Sequence, residues 1–532
     1  MNAADVIARR LYAAGCRFAF GIPGGEVLTL IDALERAGIR FVLTRHENGA
    51  GFMAEGGWHA TAAPGILVAT VGPGVANAFN VVANAEQDRV PLIVLSGAVD
   101  AAEAMRYTHQ VFDHSAAFAH ICKASFIAPD GAIDAMIDKA LAIALSGRPG
   151  PVHIDLPIRV ADTEQPEPRA VQRTPTPPSA PAPGPELDRA RAMFAAARRP
   201  VMMTGLDPLN EPGGAEAVRA FVEKHGVPLV TSYKGKGILP EDHPLALGGH
   251  GLSPKSDKIV LPVFEAADLV ISAGYDPIEM RAGWQDPWDP AKTIEFAPAP
   301  NDHDMHYAGL SWVCSVAGGL AALDGEAKGG WPDDLPARIR AELADAFAPK
   351  GDWGPGQAIA EILAAAPAQV TITIDSGAHR ILLSQIWETY APRTLLQSTG
   401  LCTMGCALPL AIGAKLAEPE RAVACFSGDA GLEMVLGELA TLRDLAMPVV
   451  IVVFVDATLA LIDLKQNRMQ YPRRAVTFGE TDWVALAAAM GGHGVVVESR
   501  EATQAAVDTA LDADGFTLIA ARIDPAAYRR YM

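Results

Sequence analysis

Residues 422–458 read AVACFSGDAGLEMVLGELATLRDLAMPVVIVVFVDAT, and their pattern decides the fold. Two apolar runs, 423–426 and 449–455, flank a helical stretch that closes at Pro448. Both runs are apolar at consecutive positions, so each strand must be covered on two faces. Short, doubly buried strands joined through a helix form a strand–helix–strand unit of a parallel sheet. Each strand also ends on an acid, Asp429 after the first and Asp456 after the second.

The same alternation recurs along the chain. Runs 41–43, 66–69 and 92–95 are continuously apolar, and a helical stretch at 76–87 separates the last two. Runs 201–203 and 269–272 follow, then 370–374 and 517–520. The segment EQPEPRAVQRTPTPPSAPAPGPE (164–186) cannot hold a helix and has little to bury, so it reads as an extended linker. A weaker Pro/Gly seam lies at 348–355. The expected organisation is a first domain over 1–163, a linker at 164–186 and a central domain at 187–335. A second linker at 336–352 leads to a last domain at 353–532. The expected class is α/β, with three doubly wound domains built on mainly parallel sheets.

Composition narrows the function. The chain is 50% apolar and 20% charged, with a formal net charge of −19. That charge excludes non-specific binding to nucleic acid or to an anionic membrane, since both need a cationic surface. The most apolar stretch, 445–455, is interrupted by Pro448 and falls far short of the roughly 20 residues that span a bilayer. The first residues, MNAADVIARRLYAAGC, carry charges where a signal peptide needs an apolar core, and predict a helix capped by Asn2 and ended near Gly15. Cysteines at 16, 122, 314, 402, 406 and 425 form no metal-binding spacing and are expected as free buried thiols in a reducing, cytoplasmic setting.

Parallel sheets bind ligands beyond the carboxyl ends of their strands. Asp429 and Asp456 are therefore expected at a ligand site, although a Gly-Asp turn capping a helix at 433–445 would look the same locally. Two carboxylates on neighbouring strand tips, with a loop carbonyl near Thr458, suit a divalent ion that also binds a diphosphate. Without the ion, two acids would repel phosphate.

This block resembles the thiamin diphosphate motif of the acetohydroxyacid (acetolactate) synthase family, which runs from Gly-Asp-Gly through a helix to Asn-Asn. The resemblance implies Mg²⁺ held by Asp429, Asp456 and Thr458, with Gly428, Ala430, Gly431, Leu461 and Ile462 beside the cofactor. Two positions depart from the family pattern: Ala430 replaces glycine, and Val455-Asp456 replaces Asn-Asn. In the first third, Arg45-His46-Glu47-Asn48 follows a strand, and the resemblance places on Glu47 the carboxyl that contacts the cofactor's aminopyrimidine ring. Exchanging a proton with that ring gives the imino tautomer that deprotonates the thiazolium carbon, an acid–base step relayed through the cofactor. Gly21-Ile22-Pro23-Gly24-Gly25 resembles the first active-site loop, with Pro23 at the cofactor and Gly25 near the reacting atoms. Gly72 and Asn77 match the loop after the third strand, and Gln110, with His109 beside it, matches a residue near the reaction centre. Gly377, Ala378 and His379 match a diphosphate-facing loop, and Met404 the bulky prop that bends the cofactor. The resemblance covers nearly the whole chain and implies a pyrimidine-binding, a central and a diphosphate-binding domain. It also implies active sites between subunits of a homodimer or homotetramer.

The implied reaction begins with loss of CO₂ from a 2-oxo acid, leaving an enamine. Simple decarboxylases carry a glutamate where this chain has Ile462, and two adjacent histidines where it has only His109 and His114. Lacking those proton donors, the enamine is expected to meet a second carbonyl, which makes carboligation the leading expectation. Lys465 stands where the synthases select their substrate, and suggests contact with an anionic tail. A non-ligating decarboxylase, possibly for such a substrate, is the alternative; an inactive cofactor-binding subunit is a further one, given Ala430 and Val455. The stretch Met203-Thr204-Gly205-Leu206-Asp207 lacks a glycine cluster, so FAD is not expected. A nicotinamide oxidoreductase would need a Gly-x-Gly-x-x-Gly turn, which the chain lacks.

Overall fold

The computed structural model describes residues 1–169, 178–278, 280–323, 325, 330–367 and 369–532; the middle of the first proline seam, 170–177, lies outside them. Three six-stranded sheets carry the fold, and every strand pair in them is parallel. The first holds β1 (Phe18–Gly21), β2 (Arg40–Leu43), β3 (Gly65–Ala69), β4 (Leu92–Ala98), β5 (Ala124–Ile127) and β6 (Val152–Pro157). The central sheet holds β7 (Pro200–Thr204), β8 (Leu229–Ser232), β9 (Ala246–His250), β10 (Leu269–Ala273), β11 (Thr293–Ala297) and β12 (Leu310–Val313). The last holds β13 (Thr371–Ile374), β14 (Leu395–Gln397), β15 (Val423–Gly428), β16 (Val450–Val455), β17 (His493–Val497) and β18 (Thr517–Arg522).

The first sheet runs β2-β1-β3-β4-β6-β5 and the last β14-β13-β15-β16-β18-β17, which is the same order. In each, connections leave in opposite directions from one pair, β1/β3 or β13/β15, and a crevice opens beyond those strand ends. The central sheet, β12-β11-β10-β7-β8-β9, has the order of a dinucleotide-binding sheet, with its crevice between β7 and β10.

Both runs of the opening stretch are strands buried on two faces. The helix between them starts earlier than expected, at Asp429, and divides into Asp429–Glu433 and Glu438–Leu445. It divides where Gly437 passes Arg45 of the first sheet's unit, with a β-carbon there only 3.0 Å from Arg45 Cβ. The stretch 76–87 likewise divides, into Pro73–Asn77 and Phe79–Gln87. The segment 336–352, expected as a linker, is mostly the helix Leu335–Phe347, because Ile339 and Phe347 have apolar surface to bury. Among the six free thiols the expectation of burial fails at Cys402, which is exposed, and at Cys122, which is half-buried.

The first and last sheets share one hydrophobic core. Its centre is a crossing of the helices Glu47–Thr61 and Ala407–Ala417. Gly56 and Gly413 lie at the contact: a β-carbon on Gly56 would meet Leu410 O, and one on Gly413 would meet Met53 O. Backbone thus packs on backbone, and the start of one helix, Glu47, is fixed relative to the last sheet.

Candidate active site

A cavity of about 330 Å³ opens beyond the carboxyl ends of β13, β15 and β16. Its walls include Gly377, Ala378, His379, Met404, Gly428, Asp429, Ala430, Gly431, Asp456, Thr458, Leu461, Ile462 and Lys465, all singled out from the sequence.

Strands β15 and β16 are hydrogen-bonded neighbours, which brings their terminal acids together. Asp429 Oδ2 accepts hydrogen bonds from the amides of Asp456 (3.0 Å) and Ala457 (2.7 Å), and Oδ1 accepts one from Ala430 N–H (2.8 Å). Both amides aim at one oxygen because Ala457 takes a left-handed backbone, φ 49°. Asp429 is thus both the first residue of a helix and a brace across to the next strand. Asp456 Oδ1 accepts from Thr458 N–H (2.9 Å). The Thr458 carbonyl accepts from Ala460 N–H at 2.8 Å, which leaves it one lone pair. Burial first, and the Asp429 charge second, push the Asp456 carboxyl up to about 8; burial also raises Asp429. A carboxylate that loses water on burial and gains a like charge beside it is pushed this way.

Across the cavity, β13 ends on Asp375, which binds the amides of Ser376 (2.9 Å) and Gly405 (2.7 Å) and the Ser427 hydroxyl (3.1 Å). These bonds pin the Met404 loop over the sheet. His379, in the first turn of the helix Ala378–Ile386, stacks on Phe454 with centroids 5.4 Å apart. Burial and then Arg380 lower its pKa to about 3, so the ring is neutral at pH 7. Its Nε2 and the Ser376 hydroxyl are buried without a partner among the described residues. The unpaired Ser376 hydroxyl and the free amides of the first helical turn are donors that a phosphate group would satisfy. The donor set therefore fits a diphosphate, and the paired aspartates fit a hard divalent cation.

The remaining expected residues gather on the first sheet, outside this cavity. Glu47 is buried at the start of its helix, and its Oε2 accepts from Asn77 Nδ2 at 3.0 Å. A β-carbon on Gly74 would lie 3.2 Å from Glu47 Oε1. Gly72 (φ 72°) and Gln110 (φ 60°) abut, and a β-carbon on Gly72 would sit 2.5 Å from Gln110 O. Pro23 lies in the loop after β1 and Gly25 begins the short 3-10 turn Gly25–Val27 that follows it; His109 is exposed. None of these residues lines the cavity of its own chain.

The central crevice holds a buried ion network instead of open space for a diphosphate. Arg148 reaches from the first sheet's unit to Asp207 (3.3 Å) and Asp276 (3.3 Å), and Arg89 adds a bond to Asp276 (2.9 Å). Asp207 follows β7 at the position where a dinucleotide fold keeps glycine, and its carboxyl would repel a diphosphate.

Several cavity residues carry no signal in the sequence. Arg281 enters from the central unit, and Tyr528 from the chain's last turn. Neither lies in a motif.

Sequence models match the chain in three places: "Thiamine pyrophosphate enzyme, N-terminal TPP binding domain" over 1–117, "central domain" over 187–323, and "C-terminal TPP binding domain" over 375–521. The chain is 32% identical to the acetolactate synthase isozyme 1 large subunit of Escherichia coli (strain K12), over 98% of this chain and 94% of that one. It is 29% identical to an acetolactate synthase of Bacillus subtilis (strain 168), over 98% and 93%. It is also 34% identical to a probable 2-ketoarginine decarboxylase, AruI, of Pseudomonas aeruginosa, over 87% and 83%.

Proposed function

We propose that this chain, which belongs to the thiamine pyrophosphate enzyme family, decarboxylates a 2-oxo acid and joins the remaining acyl unit to a second carbonyl. The observation that carries the reading is the pair Asp429 and Asp456 on adjacent strand tips, sharing one cavity with His379, whose Nε2 has no partner among the described residues.

Asp429, Asp456 and the free lone pair of the Thr458 carbonyl would hold Mg²⁺. Gly377, Ala378, His379 and Ser376 would bind the diphosphate of thiamin diphosphate, and Met404 would prop its rings apart from the sheet. Bound there, the cofactor supplies the nucleophilic carbon and the electron sink that let a 2-oxo acid lose CO₂. Glu47 would exchange a proton with the pyrimidine ring. Because Glu47 lies outside the cavity of its own chain, a second copy supplies it, and a homodimer is the smallest complete enzyme. Asn77 orients that carboxyl through its 3.0 Å bond.

The outcome after decarboxylation follows from what the cavity lacks. Ile462 lines it where a proton donor would quench the product as an aldehyde, which favours attack on a second carbonyl. Apart from the paired aspartates, its charged walls are Arg281, Arg380 and Lys465, all cationic. A cationic tail, such as the name 2-ketoarginine decarboxylase implies for that relative, would meet repulsion here; an anionic tail or acceptor carboxylate would be drawn in. Asp207 and Arg148 support a flavin-free central domain.

The test is incubation of the purified protein with thiamin diphosphate, Mg²⁺ and a panel of 2-oxo acids, measuring CO₂ and identifying products by NMR, with Glu47→Gln as control. CO₂ with a 2-hydroxy-3-oxo acid product, abolished in the control, is expected. Aldehyde as sole product would shift the reading to a non-ligating decarboxylase, and no CO₂ from any acid would sink it. The same protein, denatured, is expected to release no flavin absorbance.

A further inference from the structure

Behind the Gly72 turn lies a chain of buried polar groups that the reaction described above does not use. His114 is 3% exposed, and its Nε2 accepts a hydrogen bond from Gly72 N–H at 3.3 Å. That bond leaves the ring proton on Nδ1, which donates to Asp155 Oδ1 at 2.8 Å. The Ser96 hydroxyl donates to the same oxygen at 2.7 Å and lies 2.7 Å from His153 Nε2; His153 Nδ1 meets the Ser125 hydroxyl at 2.7 Å. Burial pushes the Asp155 carboxyl up, but hydrogen bonds from His114 and His153 outweigh it and hold the carboxyl below its ordinary range. Ligand atoms of His114, His153 and Asp155 come within 4.8 Å of one another, as in a metal site. Each of those atoms is already committed to a hydrogen bond, and the Ser96 hydroxyl sits among them, so the cluster is complete as a network.

Gly72 is the hinge of the arrangement. With φ 72° and ψ −104° it occupies a conformation open to glycine, and it caps the short helix Pro73–Asn77 with no side chain of its own. That helix ends on Asn77, whose amide holds Glu47 Oε2, and its Gly74 abuts Glu47 Oε1. Glycine adopts this turn without strain but leaves it free to move, so a hydrogen bond to its amide from outside fixes it.

We infer that His114 is a positioning residue for Glu47: braced by Asp155, it fixes the Gly72 amide and so sets the turn that places Asn77 on the Glu47 carboxylate. The inference rests on the reading of Glu47 given above. It concerns geometry delivered through two hydrogen bonds, so its loss affects the proton-exchange step more than substrate binding.

The substitutions separate the two bonds. In His114→Gln the amide oxygen can reach the former Nε2 position and accept from Gly72. In His114→Asn the shorter side chain keeps a donor on Asp155 but cannot reach Gly72. The measurements, on the full chain with thiamin diphosphate and Mg²⁺, are the rate of hydrogen–deuterium exchange at the cofactor's thiazolium carbon, followed by NMR, together with kcat and KM. Misplacement of a catalytic group costs about 10²-fold or less. His114→Asn is expected to slow exchange and kcat by about tenfold to a hundredfold with KM for the 2-oxo acid within about twofold, and His114→Gln to stay within about threefold of the parent. Glu47→Gln is measured alongside. If Glu47→Gln slows exchange but both His114 variants match the parent, the positioning role is overturned while the Glu47 reading stands. If Glu47→Gln itself exchanges at the parent rate, both fall. Equal losses in Asn and Gln variants, with a matching fall in melting temperature, would show a merely structural histidine and overturn the inference. Should His114→Asn not fold, Asp155→Asn takes its place, read by the same exchange rate.

Discussion

Gly428 and Gly431 show why one motif residue differs from its neighbours. A β-carbon at 431 would overlap Oδ2 of Asp375, whose carboxyl is itself pinned by hydrogen bonds, so that position disfavours any side chain; one at 428 would lie 2.9 Å from His379 Cε1 and would press on the ring. Position 430 between them faces the cavity, which leaves room for the Ala430 methyl. Asp456 adds a charge where the family pattern has asparagine, and this charge raises the demand for a cation in the site. Lys465, at the cavity rim, is exposed and makes no ion pair among the described residues. Its expected role is to attract an anionic substrate tail. Lys465→Ala should raise KM about tenfold for a 2-oxo acid with a carboxylate or sulfonate tail, with KM for a neutral one unchanged within about twofold, since only the first loses a charge-assisted contact. Steady-state kinetics on the two substrates check it, and equal changes in both would remove the assignment. That Asp429, Asp456 and Lys465 line one cavity could be anticipated from the sequence because all three ride on one contiguous strand–helix–strand–helix run. Arg281 and His114 could not be placed so, since each acquires its meaning only from a neighbour distant in the chain: the cavity for one, Asp155 for the other.

At the scale of elements, the strands were the legible part. Continuous apolar runs predict β3, β4, β7, β10, β13, β15, β16 and β18 to within a few residues, because burial on both faces leaves no room for polar alternation; β2 is predicted by its run as well, although it lies at the sheet edge with Leu43 exposed. Helix ends are harder to read, as the division of 429–445 shows: nothing local predicts that Arg45 comes close to Gly437. The Gly56/Gly413 crossing has the same character, since a glycine inside a helical pattern signals cost until the partner helix is seen. Gly413→Ala is expected to lower the melting temperature by several degrees, reflecting about 1–3 kcal/mol of overpacking. The added methyl would meet Met53 O, which is backbone and cannot rotate away. Helix separation would relieve the clash only by moving Glu47, so activity should fall as well. Gly57→Ala serves as control: nothing lies within 4 Å of its β-carbon, and the change should hold or raise stability through better helix propensity. Differential scanning calorimetry of the two variants against the parent tests the pair; equal melting temperatures would refute the crossing as a tight contact.

Across the whole molecule, buried charges knit the three sheets together, and none of this is visible from spacing. Lys234 of the central unit lies 2.9 Å from Asp88 Oδ2 and 3.6 Å from Glu55 Oε1 of the first. Asp88 in turn accepts from the amides of Thr399 (3.0 Å) and Gly400 (2.8 Å) of the last. Arg393 crosses back to the Asn210 side chain at 2.9 Å, and Arg148 and Arg89 reach Asp207 and Asp276. With two carboxylates sharing one ammonium, one of them retains its proton. Asp88 has the better partners, so Glu55 is the one held protonated: burial first, partly offset by Lys234, raises its pKa from 4.5 to about 7. The sign of the pH effect follows. Below pH about 4.5 Glu55 is protonated in folded and unfolded chains alike, and its contribution to stability is fully present. As pH rises toward 7 the unfolded chain ionises first, so stability is lost at up to roughly 1.4 kcal/mol per pH unit, and the loss levels off above 7. Glu55→Gln cannot ionise and keeps the bond from Asn84, 3.0 Å away in the parent. Its melting temperature relative to the parent should therefore climb between pH 5 and 7 and stay level above. A difference that is flat with pH would mean that Glu55 is already ionised in the folded protein and that Lys234 is shared by two charges.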